Sequence, residues 1–124
     1  MFQDSLSAGK HMICDFKNIE NKDLLNNPEK LNEILKFICT YYQFQILEKT
    51  QKKFTPEGYT ILYLLSESHI SVHTFPERNF LSFDIYTCRN YKDNSEYFEI
   101  FDCLLDHLKA DIRTSTYKII DRYF

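Results

Sequence analysis

No apolar run in the sequence approaches the roughly 20 residues that a membrane-spanning helix requires, which argues against an integral membrane protein. The segment Met1 to Lys10 lacks the charged-then-apolar layout of a secretory signal, and the expectation is a cytoplasmic protein. There is no C-x-x-C pair. Cys14, Cys39, Cys88 and Cys103 stand far apart in sequence, so in a reducing compartment they are expected as free thiols, three of them inert core. There is no excess of basic charge either: 15 Lys and Arg against 18 Asp and Glu give a formal charge of −3. With lysines scattered and often beside glutamates, no basic stripe forms, which excludes nucleic acid as a partner. No metal site is expected, because His11 with Cys14 and Cys103 with His107 are ligand pairs without a third member. Repeats and low-complexity tracts are also lacking.

What is present is an ordinary globular composition, 44% apolar and 27% charged, with nine Tyr and eleven Phe. A chain of 124 residues makes one domain, small enough that self-association would help it bury more surface. Alternation predicts strands over 9–16, 44–49, 59–65, 70–75, 80–87 and 112–120. Residues 18–27 read as a loop rich in Asn, Asp, Glu and Lys. Asn27-Pro28 is a helix start, an N-cap followed by Pro at the first position, and Leu31, Ile34, Leu35, Ile38 and Tyr42 form its apolar stripe. A second helix follows Ser95 as cap, with Phe98, Phe101, Leu104, Leu105 and Leu108 as its stripe. The order β-α-β-β-β-β-α-β predicts an α+β fold: a mainly antiparallel sheet with two helices packed on one face, a two-layer sandwich.

The chemistry concentrates between Leu64 and Cys88, where Glu67, Ser68, His69, His73, Glu77 and Cys88 ride on strands. If Phe75 opposes Phe80 across the four-residue loop 76–79, His73 faces Ser82 and Cys88 comes opposite Glu67, which puts a thiol beside the Glu67-Ser68 peptide bond. His73 lies five residues beyond Ser68, roughly 16 Å along a strand rising about 3.3 Å per residue. It cannot reach Ser68 of its own chain unless the strand breaks. A symmetric dimer that lays one hairpin beside its copy would supply the contact, since an isologous interface presents the same patch twice.

The stretch Ser-Glu-Ser-His-Ile-Ser-Val-His-Thr-Phe-Pro-Glu (66–77) closely resembles the prokaryotic-type S-adenosylmethionine decarboxylases, self-cleaving enzymes that use a pyruvoyl group. Gly9-Lys10-His11 with Asp15, Phe54 to Thr60, and Asp84 to Cys88 extend the resemblance over nearly the whole chain. It implies that Ser68 is the pyruvoyl precursor, its hydroxyl attacking the Glu67 carbonyl to divide the domain into residues 1–67 and 68–124. His73 then moves protons during processing and Thr60 assists the acyl shift. In turnover the new carbonyl condenses with the substrate's α-amine as an electron sink, and Cys88 returns a proton to the product. Phe54 stacks on the adenine and Glu77 accepts hydrogen bonds from the ribose, both, like His73, from the opposite subunit of a homodimer. The implied product is the aminopropyl donor for spermidine synthesis. Where the family commonly has Gly after the catalytic Cys, this chain has Arg89, and Asn18-Ile19 replaces a Gly-Cys pair.

Two other readings stand beside this one. A pyruvoyl-dependent arginine or ornithine decarboxylase on the same scaffold would use a smaller substrate, and retention of Phe54 and Glu77 speaks against it. An unprocessed, inactive homologue that binds a partner is opposed by the intact Ser68, His73 and Cys88. His69, adjacent to the cleavage point, has no assigned role.

Overall fold

The computed structural model describes residues 7–124; the opening polar residues 1–6 lie outside the described part. Six strands, β1 (Ser7–Phe16), β2 (Ile46–Lys53), β3 (Tyr59–Leu65), β4 (Ser68–Phe75), β5 (Phe80–Thr87) and β6 (Thr116–Tyr123), form one sheet in the order β2-β3-β4-β5-β1-β6. Every neighbouring pair is antiparallel. The two long helices, α2 (Pro28–Tyr41) and α3 (Ser95–Leu108), share a single core with one face of this sheet. Met12, Cys14 and Phe16 of β1, Tyr59, Ile61 and Tyr63 of β3, and Leu81, Phe83 and Ile85 of β5 meet Leu31, Leu35, Ile38, Ile100, Phe101, Leu104 and Leu108 there. The expected α+β two-layer sandwich is the fold. Period-two alternation in the four inner strands dictates it, since only one of their faces is apolar enough to need a helical cover.

The other face carries no helix. His11, Ile13, Thr60, Leu62, Leu64, His69, Ser71, His73, Phe75, Ser82, Asp84 and Tyr86 occupy the alternate positions of the inner strands. Several are large apolar side chains left open, Leu64 at 51%, Leu62 at 44% and Phe75 at 40% exposure. No helix among the described residues is long and apolar enough to cross a membrane.

The structure departs from the sequence expectations at several points. Residues 18–27 are not all loop: a short helix, α1 (Asp23–Asn26), lies within them. It forms because Leu24 and Leu25 are buried and their carbonyls accept from the Tyr59 hydroxyl at 2.5 Å and the Thr74 hydroxyl at 2.9 Å. Strand β2 runs on through Lys53, paired with Tyr59, so the Lys49, Lys52, Lys53 cluster lies on an edge strand, where lysines discourage further strand pairing. Strand β4 begins at Ser68 rather than Ile70. Residues 112–115 are turn, since Asp111 accepts from the backbone of Arg113 and Ser115, and β6 begins at Thr116 and ends at Tyr123. In α3 the cap is Asn94, with the Asp93 carboxylate accepting from the Ser95 N–H at 2.9 Å. That bond holds the Asp93 carboxyl below its usual range. Tyr97 and Ile100 replace Phe98 and Leu105 among the fully buried residues, because the Tyr97 hydroxyl meets buried Thr87 at 2.8 Å while Phe98 leans on Tyr117.

Candidate active site

The hairpin register is the one inferred from sequence. Phe75 pairs with Phe80, His73 with Ser82, and Ser68 with Thr87, where the ladder ends; the next residues of the two chains, Glu67 and Cys88, line one cleft. The β3–β4 connection is tight: Leu65 pairs with Ser68, leaving Ser66 and Glu67 to turn the chain. Glu67 adopts φ 63°, the left-handed region that costs a residue with a Cβ about 1–2 kcal/mol. The carbonyl of this strained residue precedes Ser68. Ser68 itself is buried and gripped by strands on both sides.

A cleft of about 310 Å³ opens at this end of the sheet, lined by Glu67, Ser68, Cys88, Ser66, Gln43, Gln45 and Arg89. The Cys88 thiol is exposed and donates to the Tyr86 hydroxyl at 3.6 Å, and that hydroxyl donates to the Ala8 carbonyl. The thiol contact, with some burial, raises the Tyr86 pKa and keeps the phenol protonated. Cys14 and Cys39 are buried in the core, where burial first of all pushes their pKa up, that of Cys39 to about 11. Cys103 is partly buried and shifted the same way, so the other three thiols are poor nucleophiles, as expected.

Gln43 and Gln45 are lining residues that the sequence did not single out, and Arg89, marked in the sequence only as a departure from the family's Gly, lines the cleft with them. The Arg89 guanidinium stacks 4.1 Å above the Phe44 ring and donates to the carbonyls of Tyr42 and Gln43. It therefore ties the turn after α2 to the end of β5, one residue from Cys88. No sequence spacing connects positions 43 and 89; only the folded sheet does.

The remaining expected residues gather at the other end of the same strands. Thr60 pairs with His73 across β3 and β4, and the Thr60 hydroxyl lies 3.0 Å from His73 Nδ1. Exposed Phe54 occupies the β2–β3 loop, whose backbone closes by a bond from Phe54 N–H to the Gly58 carbonyl at 2.8 Å. Exposed Glu77 sits in the 3-10 turn Pro76–Arg78 that follows β4. Ser68 faces the helices, whereas His73 projects from the open face. Within one chain, the two groups are separated by the length of β4. Among the described residues His11, His69 and Asp84 are the group that brings three metal-ligand types within reach of one ion, and no residue of the cleft belongs to it.

Fold and cleft together define a two-layer α+β protein with a buried serine behind a strained turn and a free thiol across the hairpin. The chain belongs to the S-adenosylmethionine decarboxylase family, whose description matches residues 10–122. It is 42% identical over 80 residues to S-adenosylmethionine decarboxylase proenzyme 2 of Bacillus cereus, a match spanning 64% of this chain and 64% of that relative. Against an S-adenosylmethionine decarboxylase proenzyme of Clostridium botulinum the identity is 33% over 106 residues, covering 86% of this chain and 90% of the relative. The crystal structure of the adenosylmethionine decarboxylase from Aquifex aeolicus superposes with a TM-score of 0.80 at 25% identity, covering 96% of this chain and 93% of that one.

Proposed function

We propose that the chain is a self-processing, pyruvoyl-dependent decarboxylase of S-adenosylmethionine, cut between Glu67 and Ser68 and working as a cytoplasmic homodimer. The observation that carries this reading is the junction itself. A residue held in a left-handed conformation presents its carbonyl to a serine fixed in the sheet, and both share a cleft with a free thiol.

In this reading Ser68 Oγ attacks the Glu67 carbonyl carbon and the C–N bond gives way to an ester, which relieves the turn of its strained residue. Elimination across Cα–Cβ of residue 68 then frees segment 1–67 with Glu67 as its terminal carboxylate. Water displaces the nitrogen of residue 68 as ammonia and leaves a pyruvoyl group at the head of segment 68–124. That site fits such a group, because position 68 stays held between Leu65 and Thr87 after the cut. The group supplies an electrophilic carbonyl that withdraws the electrons released when CO2 departs. Cys88 keeps a proton at Sγ for return to the substrate carbon, with Tyr86 orienting the thiol. Arg89 fixes the wall beside it.

Thr60 and His73 move protons during processing, Phe54 stacks on the adenine and Glu77 accepts from the ribose hydroxyls. These four stand at the opposite end of the hairpins from Ser68, so in the proposed enzyme they serve the cleft of a second copy. A twofold axis through the centre of the open face lays one end of each sheet over the other end of its partner. The exposed Leu62, Leu64 and Phe75 support that packing, being larger than a monomer's scattered surface residues require. The decarboxylated product then serves as aminopropyl donor in spermidine synthesis.

Mass spectrometry of freshly purified protein tests the reading: two fragments, the second starting at position 68 with a pyruvoyl block, are expected, and Ser68→Ala stays whole. A single uncut chain in fresh wild type would mark an inactive homologue and end the proposal. CO2 release measured side by side with S-adenosylmethionine, arginine and ornithine decides the substrate, with release expected from the first alone.

A further inference from the structure

One cluster of chemistry-bearing side chains takes no part in the proposed reaction. At the centre of the open face three adjacent strands each contribute a metal-ligand type: His69 from β4, Asp84 from β5 and His11 from β1. The pairing explains the convergence, since His11 and His69 flank Tyr86 from opposite sides and Asp84 is the next residue of β5 on that face. Nε2 of His11 lies 2.5 Å from Asp84 Oδ2, and Nε2 of His69 lies 3.6 Å from the same oxygen. All three ligating atoms fall within 4.8 Å of one another. The Ser71 hydroxyl donates to the second carboxylate oxygen, Oδ1, which turns Oδ2 toward both imidazoles. The Tyr86 ring lies beside both imidazoles, at 6.0 and 5.9 Å between centroids.

We propose that His11, His69 and Asp84 form a binding site for a divalent transition-metal ion of the Zn2+ class. Two imidazole nitrogens and a carboxylate oxygen are a donor set that suits Zn2+ and late first-row ions, whereas Mg2+ and Ca2+ prefer oxygen alone. Ligand bonds of about 2.0–2.2 Å place donor atoms roughly 3–3.5 Å apart. The His69–Asp84 separation nearly meets that span. The His11–Asp84 contact opens by less than about 1 Å as the ion replaces the shared proton. Ser71 then has the role that carboxylate-orienting groups have around metals, and the remaining coordination positions open toward the twofold axis of the proposed homodimer. Because His11 lies in segment 1–67 and the other two ligands in segment 68–124, the ion ties the two pieces of the cut chain together, one residue from the new terminus. That tie rests on the proposed cleavage; the binding does not.

The test is a Co2+ titration of the purified protein, followed by its visible d–d absorption and by competition with Zn2+. One ion per chain is expected, with affinity lowered about tenfold or more in His69→Gln and in His11→Gln. His69 is exposed, so its variant keeps the wild-type far-ultraviolet circular dichroism. Cys88→Ser and His107→Gln bind as wild type does. The uncleavable Ser68→Ala chain also binds equally, which separates failure of the site from failure of the cleavage reading. Absence of saturable binding, binding indifferent to both histidine variants, or loss of binding in Cys88→Ser overturns the proposal.

Discussion

Replacing Gly9 by alanine probes how β1 holds Cys88, the proposed proton donor, in place. Gly9 has φ +99°, and a Cβ built there would stand 1.9 Å from the Thr87 carbonyl oxygen and 2.8 Å from Cys88 Cα. Both neighbours are backbone, so no side chain can swing aside. To restore an ordinary contact of about 3.4 Å, β1 and the end of β5 must part by roughly 1.5 Å. That loosens the Lys10–Thr87 pairing, and the positive φ adds about 1–2 kcal/mol for any residue with a Cβ. A destabilisation of about 3 kcal/mol is expected, which lowers the thermal midpoint of a chain this size by about 10 °C. The movement falls on Cys88, and a displacement of about 1 Å in a reacting group costs on the order of 100-fold in rate. The assay is CO2 release per processed chain, with the processed fraction read from denaturing gels and the midpoint from circular dichroism. A Gly9→Ala protein that melts within about 3 °C of wild type and turns over at the wild-type rate would refute the close approach, and with it this account of how Cys88 is positioned.

Thr87→Val strips the buried Tyr97 hydroxyl of its partner and should cost about 1–3 kcal/mol in urea unfolding, with Thr87→Ser recovering most of it. Alkylation of the native protein at pH 8 should label Cys88 first and spare Cys14 and Cys39 until denaturant is added, as mass mapping will show; burial holds the Cys39 thiol at a pKa of about 11. The same burial predicts alkaline weakness. The unfolded thiol ionises first, so between its ordinary pKa and about 11 the folded state binds more protons and stability falls as pH rises. The urea midpoint should therefore drop across that window, and less steeply in Cys39→Ala. Thr60→Val leaves exposed His73 without its hydroxyl partner; the fold should keep its melting midpoint while self-cleavage slows about tenfold or more, and Thr60→Ser should restore the rate.

The features legible in the sequence were those set by local period. The apolar run 59–65 reads as a central strand and 80–87 as a strand of the next hairpin, and the Phe75–Phe80 assumption is enough to bring Cys88 to the Glu67–Ser68 junction because an antiparallel register, once fixed at one pair, is fixed at all. The misread elements owe their form to partners far along the chain. Residues 23–26 are polar at their edges and become helical because Thr74 and Tyr59 reach back to their carbonyls. A stripe count in α3 cannot know that Thr87 awaits the Tyr97 hydroxyl, so it favours the fully apolar Phe98 for the core.

The same reasoning explains why the Arg89 clamp and the His11–His69–Asp84 cluster escaped notice. A spacing rule sees ligands only along one element, as in Cys103 and His107 on α3, whereas a sheet gathers chemistry across strands whose sequence separations carry no pattern. In this fold β1 inserts between β5 and β6, bringing position 11 beside position 84, which belongs to the other half of the proposed cleaved chain. That insertion is what gathers His11, His69 and Asp84 at the centre of the open face. If β1 paired with any strand other than β5, Gly9 would not press on Cys88 and His11 would not meet Asp84; both the thiol's placement and the proposed metal site therefore depend on the same strand pairing.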